Sequence, residues 1–415
     1  MDCGISGADQ LAGRNLCRFY TKPKIGSLLI RLFGASTPRR VVDLGTGNGC
    51  LAAAAAKRWH NAKIVTVDVD PDCVGSLTEQ MSKFGANRHQ HFILDALDFE
   101  LPTALSGGDQ GFDAALCNPP YIKPKWRPAY DRILEHAGLA KAYQCPTDVS
   151  IDALFLAQVM RLTKPGGRIG LIVPDTLITG KKSRSVRHTL LTNHRVEEVV
   201  QLPRHSFCST DAQAFLIVFR KLSKPAFRIR LSTFPFINEH STIIIDREQA
   251  IERMDFSYHS RAGSVKFQGR SLEMLNAEIV RGKINSAQAK NMGSLAFHTT
   301  DFPRITGNGV CLRDSNCKAL AAVPNASVIA QPGDILVARV GRSLHRKITH
   351  VIGGQAAITD CVLRIRLESS LREQVLTALV SDEGNQLLAS ITRGVSAQMI
   401  SMVDLFKLPL PLTEL

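Results

Sequence analysis

Apolar runs alternate with helix-spaced stretches over about residues 39–220. The strand-like runs are RRVVDLG, AKIVTVDVD, HQHFILDAL, FDAALCN, GRIGLIVP, VEEVVQLP and AFLIVFRK. The stretches between them that place apolar residues at helical intervals are CLAAAAAKRW, PDCVGSLTEQMSKFG, SIDALFLAQVMRLTK and SRSVRHTLLTN. Continuous apolar strands that alternate with helices are typical of a mostly parallel sheet covered by helices on both faces. This pattern predicts an α/β first domain.

The pattern changes after about residue 222. FRIRLSTFPFI predicts a mixed strand, and a poorly periodic region follows it. LVARVGRSLHRKITHVIGGQAAITDCVLRIRL then alternates apolar and polar residues at period two, with glycine turns, which predicts a β-rich and partly open surface. We therefore expect a first domain at 1–222, a linker at 223–260 and a second, β-rich α+β domain at 261–415.

Composition and charge point to a polyanionic partner. The 415 residues carry a formal net charge of +14, a surplus that favours nucleic acid or an anionic membrane surface. No segment is apolar over some 18 residues, and the N-terminal MDCGISGADQLAGR lacks a basic-then-apolar signal, so we expect a cytoplasmic protein with no membrane association. The 10 cysteines contain no Cys-x-x-Cys pair, which predicts neither a metal site nor a disulfide framework.

A glycine-rich turn joins the first strand to the first following helix in VVDLGTGNGCL (41–51). Gly45, Gly47 and Gly49 allow tight turning and close approach of the backbone to a ligand. Cys50 stands where the dinucleotide fingerprint needs its last glycine, and the lysine of a phosphate-binding loop is missing. Asp43, just before the glycines, suits a ligand that carries an ammonium group better than a pyrophosphate.

Two more carboxylates follow, each at the end of a strand. Asp68 in IVTVDVDP is placed to bind ribose hydroxyls, and Asp95 in ILDALDF to accept from the exocyclic amine of an adenine ring. A nucleoside with an amine, a ribose and no phosphate is S-adenosylmethionine. The Asp-x-Gly-x-Gly-x-Gly pattern resembles motif I of the S-adenosylmethionine-dependent methyltransferases, which implies a Rossmann-like sheet. A purely structural strand-to-helix turn is the alternative.

The stretch FDAALCNPPYIKP (112–124) ends an apolar strand on an amide, two prolines and an aromatic ring. Prolines lock their own backbone and push the preceding residue to extended geometry. The Asn118 side-chain carbonyl and the Pro119 backbone carbonyl are candidate acceptors for the two protons of a delocalised amine, and Pro119 and Pro120 would preorganise them. Tyr121 offers a face on which a planar substrate can stack.

Asn-Pro-Pro-Tyr resembles motif IV of two families, the adenine-N6 DNA methyltransferases and the glutamine-N5 methyltransferases of peptide release factors. CRFYTKPKIGSLLIRLFG (17–34) resembles motif X of the gamma class of the former, which implies that Thr21 lines the methionine end of the cofactor, although Lys22 interrupts the family pattern. LPRHSFCSTDAQAFLIVFRK is similar to motif VIII. That resemblance implies that Phe207 presses on the face of a flipped-out base opposite Tyr121.

Basic clusters supply candidate DNA contacts in both halves. SIDALFLAQVMRLTKPGGRIGLIVPDTLITGKKSRSVRHTLL resembles the stretch that follows motif IV in type I and gamma-class modification enzymes. Its basic residues, expected to contact phosphates, are Lys181, Lys182, Arg184 and Arg187. In the second half the candidate contact residues are Arg339, Arg342, His345, Arg346 and Lys347.

The second half also resembles the target-recognition repeats of type I specificity subunits. QPGDILVARVGRS (331–343) carries the glycine-aspartate-isoleucine turn at 333–335, and RGVSAQMISMVDLFKLPLPLTEL (393–415) carries the leucine-proline pattern at 408–411. The long spacer helices of those subunits do not follow. The resemblance therefore implies one recognition unit fused to a catalytic domain.

These features identify the chain as resembling a gamma-class DNA adenine-N6 methyltransferase. The resemblance implies transfer of a methyl group from S-adenosylmethionine to N6 of a flipped-out adenine in double-stranded DNA, as the modification component of a restriction or defence system. It also implies that a separate restriction endonuclease or defence subunit is a partner. The alternatives are a glutamine-N5 protein methyltransferase, an RNA methyltransferase and a non-catalytic DNA-binding subunit.

Overall fold

The computed structural model describes residues 21–412, except for 107–110, 121–123, 144, 205, 208–212, 236–240, 265–268, 313–326 and 394–397. It divides into two compact units at the boundary between Phe256 and Ser257. Each unit has its own sheets and its own hydrophobic cores. In the described part of the chain, no helix is long and apolar enough to cross a membrane.

The first unit alternates strands with helices. Its strands are β1 (Arg40–Leu44), β2 (Lys63–Asp68), β3 (His89–Ile93), β4 (Phe112–Cys117), β5 (Thr163–Pro174), β6 (Arg195–Gln201), β7 (Ala214–Arg220), β8 (Arg228–Thr233) and β9 (Thr242–Asp246). Its helices are α1 (Pro23–Arg31), α2 (Cys50–Arg58), α3 (Cys73–Met81), α4 (Leu101–Ser106), α5 (Ala129–His136), α6 (Ile151–Leu162), α7 (Asp175–Thr179), α8 (Arg184–Asn193) and α9 (Arg247–Glu252). Helix α10 (Phe256–Ser264) begins at the boundary.

The strands form one sheet in the order β3-β2-β1-β4-β5-β7-β6-β8-β9. β1 to β5 are mutually parallel, β7 is antiparallel to both of its neighbours, and β8 is parallel to β6. All strand-like runs expected over residues 39–220 are confirmed, and so is the α/β class. One boundary differs, because β5 already begins at Thr163 and includes the glycine turn at Gly166.

Helices cover both faces of this sheet, as the continuous apolar strands require. One face packs mainly against α6, whose side chains from Ala153 to Met160 are all buried. The other face packs against α1 and α2, with Leu29, Phe33 and Trp59 in its core. Both faces are thus removed from solvent, which explains why the central strands lack the alternation of a half-exposed sheet.

Residues 223–260 are not the linker that we expected. Strands β8 and β9 lie in this range and extend the nine-stranded sheet. Asp246 then caps α9 with a reciprocal capping box that involves Gln249, and Ala250 and Ile251 of that helix are buried in the core. The alternating pattern of β8 buries Ile229 and Leu231 and leaves Arg228 and Arg230 exposed, so its membership of the sheet is encoded in the sequence.

The second unit is built from short strands and helices. Its strands are β10 (Arg270–Ser271), β11 (Glu278–Arg281), β12 (Ala296–Phe297), β13 (Gly309–Cys311), β14 (Ile329–Ala330), β15 (Ile335–Ala338), β16 (Val340–Gly341), β17 (Ile348–Gly353), β18 (Ala356–Ile358), β19 (Val362–Arg366), β20 (Thr392–Arg393), β21 (Gln398–Ile400) and β22 (Pro409–Leu410). Its helices are α11 (Ser286–Met292), α12 (Ser369–Val380), α13 (Asp382–Ile391) and α14 (Met402–Phe406).

Its largest sheet has the order β11-β19-β15-β17-β13, which confirms the expected β-rich α+β architecture. The glycine-aspartate-isoleucine turn leads into the central strand β15. Gly333 adopts φ +91°. The buried Asp334 carboxylate accepts hydrogen bonds from both Nε and Nη2 of Arg366 in β19. The turn therefore fixes β15 against its neighbour. Sequence analysis did not locate α12 and α13. Val375 and Leu379 of α12 are buried at a spacing of four residues, and Leu388 and Ile391 of α13 are buried at a spacing of three.

Candidate active site

The residues that the sequence singles out in the first unit come together at one edge of the sheet. β3, β2, β1 and β4 are adjacent and parallel, so their carboxyl ends meet there. Asp68 ends β2, Asp95 follows β3, Asn118 follows β4 and the glycine loop follows β1. Ligands of open α/β sheets bind outside this edge. The topology therefore brings the three carboxylates and the amide to one place.

The glycine loop needs its glycines for conformation and for space. Gly45, Gly47 and Gly49 have φ values of +71°, +51° and +79°, a region that side chains rarely adopt. A Cβ on Gly49 would lie 2.4 Å from Cδ1 of the buried Leu77, and one on Gly45 would lie 3.3 Å from the Phe155 ring. The loop thus turns sharply between β1 and α2, and its backbone runs along the sheet edge.

Asp43 is a buried carboxyl group with an incomplete set of partners. Its Oδ2 accepts hydrogen bonds from Thr46 Oγ1 at 2.7 Å and from the Ala52 amide at 3.1 Å. Its Oδ1 has no hydrogen-bond partner among the described residues. Burial raises the pKa of Asp43 to about 7, Asp68 adds to the rise, and the bonds from Thr46 and Ala52 oppose it. A ligand ammonium would supply the missing partner, so the site fits S-adenosylmethionine.

The other two carboxylates are engaged by the chain itself. Asp68 accepts from the Gly47 amide at 2.7 Å and from the Asp70 amide at 3.0 Å, which ties the second strand to the glycine loop. Asp95 accepts from the Leu97 amide at 2.8 Å and, through Oδ2, from Arg127 Nη1 at 2.8 Å.

Sequence analysis missed Arg127. Its Nε also donates to the Tyr130 hydroxyl at 2.7 Å, and its guanidinium lies over the Tyr130 ring. The available signal was its place in the segment just after the Asn-Pro-Pro-Tyr motif.

The amide of Asn118 is oriented by a residue from the N-terminal part of the chain. Its Nδ2 donates a hydrogen bond of 3.1 Å to Oγ1 of Thr21, which is 7% exposed. Pro119 is buried and Pro120 is partly buried, so both packing and the proline rings restrict the backbone after β4. Tyr121 lies outside the described residues. The structure thus brings together Thr21 and Asn118, which the resemblance had connected only through the cofactor.

Phe207 occupies the hydrophobic core of the first unit. It is 4% exposed and belongs to the cluster that contains Leu202, Ala214 and Leu216. Stacking against a base would require this ring to leave the cluster, so its expected role stays a prediction.

Arg187 is not a DNA-contact residue. Its side chain is 0% exposed, and it donates to the backbone carbonyls of Leu177, Gly180, Ile251 and Glu252. Because this guanidinium is buried and donates to backbone carbonyls, it stabilises the packing of α8 against α7 and α9 and cannot reach a phosphate. Arg187 lies on the buried face of α8 with Val186, Leu190 and Leu191, so the spacing of the apolar residues in this helix indicated that it would be buried.

The other three candidates of this cluster, Lys181, Lys182 and Arg184, are exposed. Lys182 pairs with Asp148, and Arg184 pairs with Glu252.

The basic cluster of the second unit lies on the segment between β15 and β17, which includes β16. Arg342 and Arg346 are exposed, whereas Arg339 and Lys347 are partly buried. Arg339 donates to the Asp360 carbonyl at 3.0 Å, and Lys347 Nζ donates to the Thr299 carbonyl at 3.0 Å. Arg342 and Arg346 are therefore the more accessible members. Across the described residues of both units, no group of three or more His, Cys, Asp or Glu side chains could hold a metal ion.

The sheet order, the glycine loop and the carboxylates at the sheet edge define a methyltransferase of the S-adenosylmethionine-dependent class. The family model "N-6 DNA Methylase" matches residues 7–261, which is more than half of the chain. The protein belongs to the N-6 DNA methylase family.

Individual relatives are more distant. The type II methyltransferase M.BanIII of Aneurinibacillus aneurinilyticus is 26% identical over 227 residues, which cover 49% of this chain and 38% of that protein. A release factor glutamine methyltransferase of Gloeobacter violaceus is 36% identical over 83 residues, which cover 20% of this chain and 27% of that protein. The chain thus spans well under half the length of these two relatives.

A solved structure resembles the fold over nearly the whole chain. The type IIG restriction endonuclease BpuSI matches with a TM-score of 0.53 and 13% sequence identity, over 97% of this chain and 60% of that chain. At this identity the likeness concerns the fold alone.

Proposed function

We propose that this protein transfers a methyl group from S-adenosylmethionine to N6 of adenine in double-stranded DNA. The observation that carries the proposal is the Asn118 amide, which lies at the sheet edge that also holds Asp43 and is oriented by Thr21. Membership of the N-6 DNA methylase family supports the same reaction. The net charge of +14 supports a polyanionic substrate.

In this proposal the cofactor binds along the carboxyl ends of β1, β2 and β3. Asp43 receives its ammonium group, Asp68 its ribose hydroxyls and Asp95 the amine of its adenine ring, with Thr21 at the methionine end. Gly45 and Gly47 allow the backbone to approach it closely. When bound, S-adenosylmethionine supplies an electrophilic methyl group. Because Arg127 donates to Asp95, cofactor binding there shares or displaces that bond.

Asn118 and Pro119 act on the substrate amine. The N6 amine of adenine is a weak nucleophile because its lone pair is delocalised into the ring. The two N–H groups of this amine donate hydrogen bonds to Asn118 Oδ1 and the Pro119 carbonyl, which draws the nitrogen toward a tetrahedral shape and localises the lone pair. After methyl transfer the nitrogen releases one proton to solvent. Alignment supplies most of the rate, with no side chain of shifted pKa required at this step.

The base must leave the duplex to reach Asn118, and aromatic stacking offsets part of the unstacking cost. We assign this role to Tyr121, with Phe207 as the expected second face. Lys181, Lys182 and Arg184 of the first unit, and Arg339, Arg342, Arg346 and Lys347 of the second, are the proposed DNA contacts. Arg342 and Arg346, which are exposed, are the strongest of these. The second unit would serve as the target-recognition domain.

The biological setting that fits this activity is the modification step of a restriction or defence system in the cytoplasm, with cleavage by a separate subunit. A second candidate is methylation of a protein glutamine at N5. It is favoured by the 36% identity to a release factor glutamine methyltransferase, but that match spans only 83 residues. The family match over residues 7–261 favours DNA.

The test is a substrate competition. Purified protein receives methyl-labelled S-adenosylmethionine together with duplex DNA, total RNA and a bacterial protein extract in one reaction. Incorporated label is then assigned by its sensitivity to deoxyribonuclease, ribonuclease or protease. The proposal expects label that only deoxyribonuclease releases. Protease-sensitive label would favour the glutamine enzyme, and ribonuclease-sensitive label an RNA enzyme.

A further inference from the structure

A basic groove runs along the first unit between α1 and α2. It has a volume of about 700 Å³ and is open to solvent. Leu28, Ile30 and Ala54 form an apolar floor where the two helices pack together. Its charged lining residues are Lys24, Arg31, Lys57 and Arg58, all exposed, and no acidic residue lines it among those that the structure describes.

Helix electrostatics accounts for three of these four charges but not for that of Lys24. Arg31, Lys57 and Arg58 lie in the last turns of α1 and α2, where cations stabilise the helix dipole. Lys24, however, lies in the first turn of α1, where a cation opposes the dipole at a cost of about 0.3–1 kcal/mol. A position that costs helix stability calls for another use of the charge.

An aromatic ring defines the end of the groove next to Lys24. Phe234 follows β8 and is tied to β6 by its amide, which donates to the Gln201 carbonyl at 3.0 Å. Lys24 Nζ lies 5.4 Å from the centre of the Phe234 ring, a cation–π contact that holds the ammonium at the groove. Because Lys24 is three residues from Thr21, the Cα atoms of these two residues lie at most about 11 Å apart, which puts this end of the groove near the candidate active site.

The spacing of the charges suits a linear polyanion. Lys24 and Arg31 are seven residues apart on α1, which is two turns or about 10.5 Å. One strand of duplex DNA carries a phosphate about every 3.4 Å of helix axis, so this distance spans about three phosphates. Lys57 extends the row from α2, whereas Arg58 also donates to the Gly34 carbonyl and has a structural role.

We propose that this groove binds the phosphate backbone of duplex DNA beside the target site. It holds DNA through the charges of Lys24, Arg31 and Lys57, independently of base sequence. The choice of DNA as the ligand rests on the proposed function. The groove is distinct from the basic clusters of 181–184 and 339–347, so it adds a contact surface that the sequence did not indicate.

The test uses a fluorescent 30-base-pair duplex and anisotropy titrations of the full chain over a range of salt concentrations. The test variant combines Lys24→Gln, Arg31→Gln and Lys57→Gln. The matched control combines Lys83→Gln, Arg195→Gln and Lys224→Gln, which remove the same charge from exposed positions outside the groove. Thermal melting and calorimetric titration with S-adenosylmethionine verify that both variants fold and bind the cofactor.

The test variant is expected to bind DNA roughly 10- to 100-fold more weakly at about 0.1 M salt, with the slope of log K against log salt reduced by about 2 to 3. The control is expected to change the slope by less than about 1. Equal slopes for the test and control variants would refute the proposed DNA-binding role of the groove. A wild-type chain that binds no duplex would refute it as well. Groove-dependent binding by a chain that forms no N6-methyladenine would uphold the groove and refute the proposed function.

Discussion

Asn118 Nδ2 donates a 3.1 Å hydrogen bond to Thr21 Oγ1, across 97 residues of sequence. Thr21 lies two residues before the start of α1, and Asn118 immediately follows β4. In this arrangement the amide nitrogen faces Thr21, so the carbonyl oxygen Oδ1 faces away from it. Thr21 is therefore proposed as a positioning residue for the amide.

Replacing Thr21 tests that role. Thr21→Val keeps the shape of the side chain and removes the acceptor, so the amide loses its orienting bond. One hydrogen bond contributes about 0.5–1.5 kcal/mol, which predicts a 2- to 12-fold lower rate of methyl transfer. Single-turnover rates at saturating S-adenosylmethionine measure it. Thr21→Ser keeps the hydroxyl and should retain most of the rate, and equal rates for both variants would refute the positioning role.

Asp43 predicts a pH-dependent cofactor affinity. Burial raises the pKa of Asp43 to about 7, so the carboxyl group is half protonated near neutrality. A bound ammonium favours the carboxylate and lowers that pKa, so binding releases a proton and the affinity rises with pH between about 6 and 7.5. Calorimetry in buffers of different ionisation enthalpy counts the protons released. Asp43→Asn should bind more weakly and release fewer protons, and an unchanged proton count would contradict this assignment.

The same raised pKa makes a stability prediction in the absence of cofactor. Because the folded pKa of about 7 exceeds the usual Asp value of 3.8, the folded state binds the proton more tightly than the unfolded state. The resulting stabilisation is fully present below about pH 4 and is lost as pH rises through 7. Urea unfolding of wild type and Asp43→Asn at pH 5 and pH 8 tests this. The wild type should lose stability relative to the variant over that interval, and parallel curves would count against it.

Gly49 and Gly75 form a contrasting pair for the glycine loop. Gly49→Ala places a Cβ 2.4 Å from Leu77 Cδ1 at a φ of +79°, and we expect a loss of about 1–3 kcal/mol in the free energy of unfolding. Gly75 lies inside α3 with no atom within 4 Å of an added Cβ, so Gly75→Ala should leave stability unchanged or raise it by up to about 1 kcal/mol. Similar losses in both variants would show that the loop is not strained.

Substitutions of Arg184 and Arg187, which both lie on α8, distinguish a residue that contacts DNA from one that stabilises the fold. Arg187→Met leaves buried carbonyls without donors, so it should cost about 3 kcal/mol or more in the free energy of unfolding. Arg184 is exposed and paired with Glu252. Arg184→Met should therefore lower the free energy of unfolding by less than about 1 kcal/mol but weaken DNA binding. Chemical denaturation and DNA titration of both variants measure the two effects. A weaker DNA affinity for folded Arg187→Met would restore it as a contact residue.

The alternation of apolar strands and helices was enough to predict the first unit. Its central strands β1, β2, β4 and β7 are buried on both faces, so they appear as nearly continuous apolar runs between helix-spaced stretches. The segment 223–260 was harder to predict. The alternation of Ile229 and Leu231 with exposed arginines indicates a strand, β8, but the stretch after it lacks a clear period. Strand β9 lies at the edge of the sheet and is only partly buried, so its sequence does not show that the sheet continues through the expected linker.

The candidate site was predictable in its residue types and less so in its contacts. Strand ends place Asp43, Asp68 and Asp95 along one edge because parallel strands share their direction. The pairing of Arg127 with Asp95 is a tertiary contact between a loop and a strand end, and no local pattern encodes it. The groove between α1 and α2 was missed for the same reason, since its charges come from two helices and the aromatic ring at its end comes from Phe234, after β8.

The central claim is that Asn118 directs methylation to N6 of adenine in DNA. Purified wild type and Asn118→Ala are incubated with unmethylated genomic DNA and S-adenosylmethionine with a deuterated methyl group, and the nucleosides are quantified by mass spectrometry. Our account predicts deuterated N6-methyladenine from the wild type and at least a hundredfold less from the variant, which should still bind the cofactor. Labelled N4-methylcytosine, or N6-methyladenine at equal levels from both proteins, would contradict it.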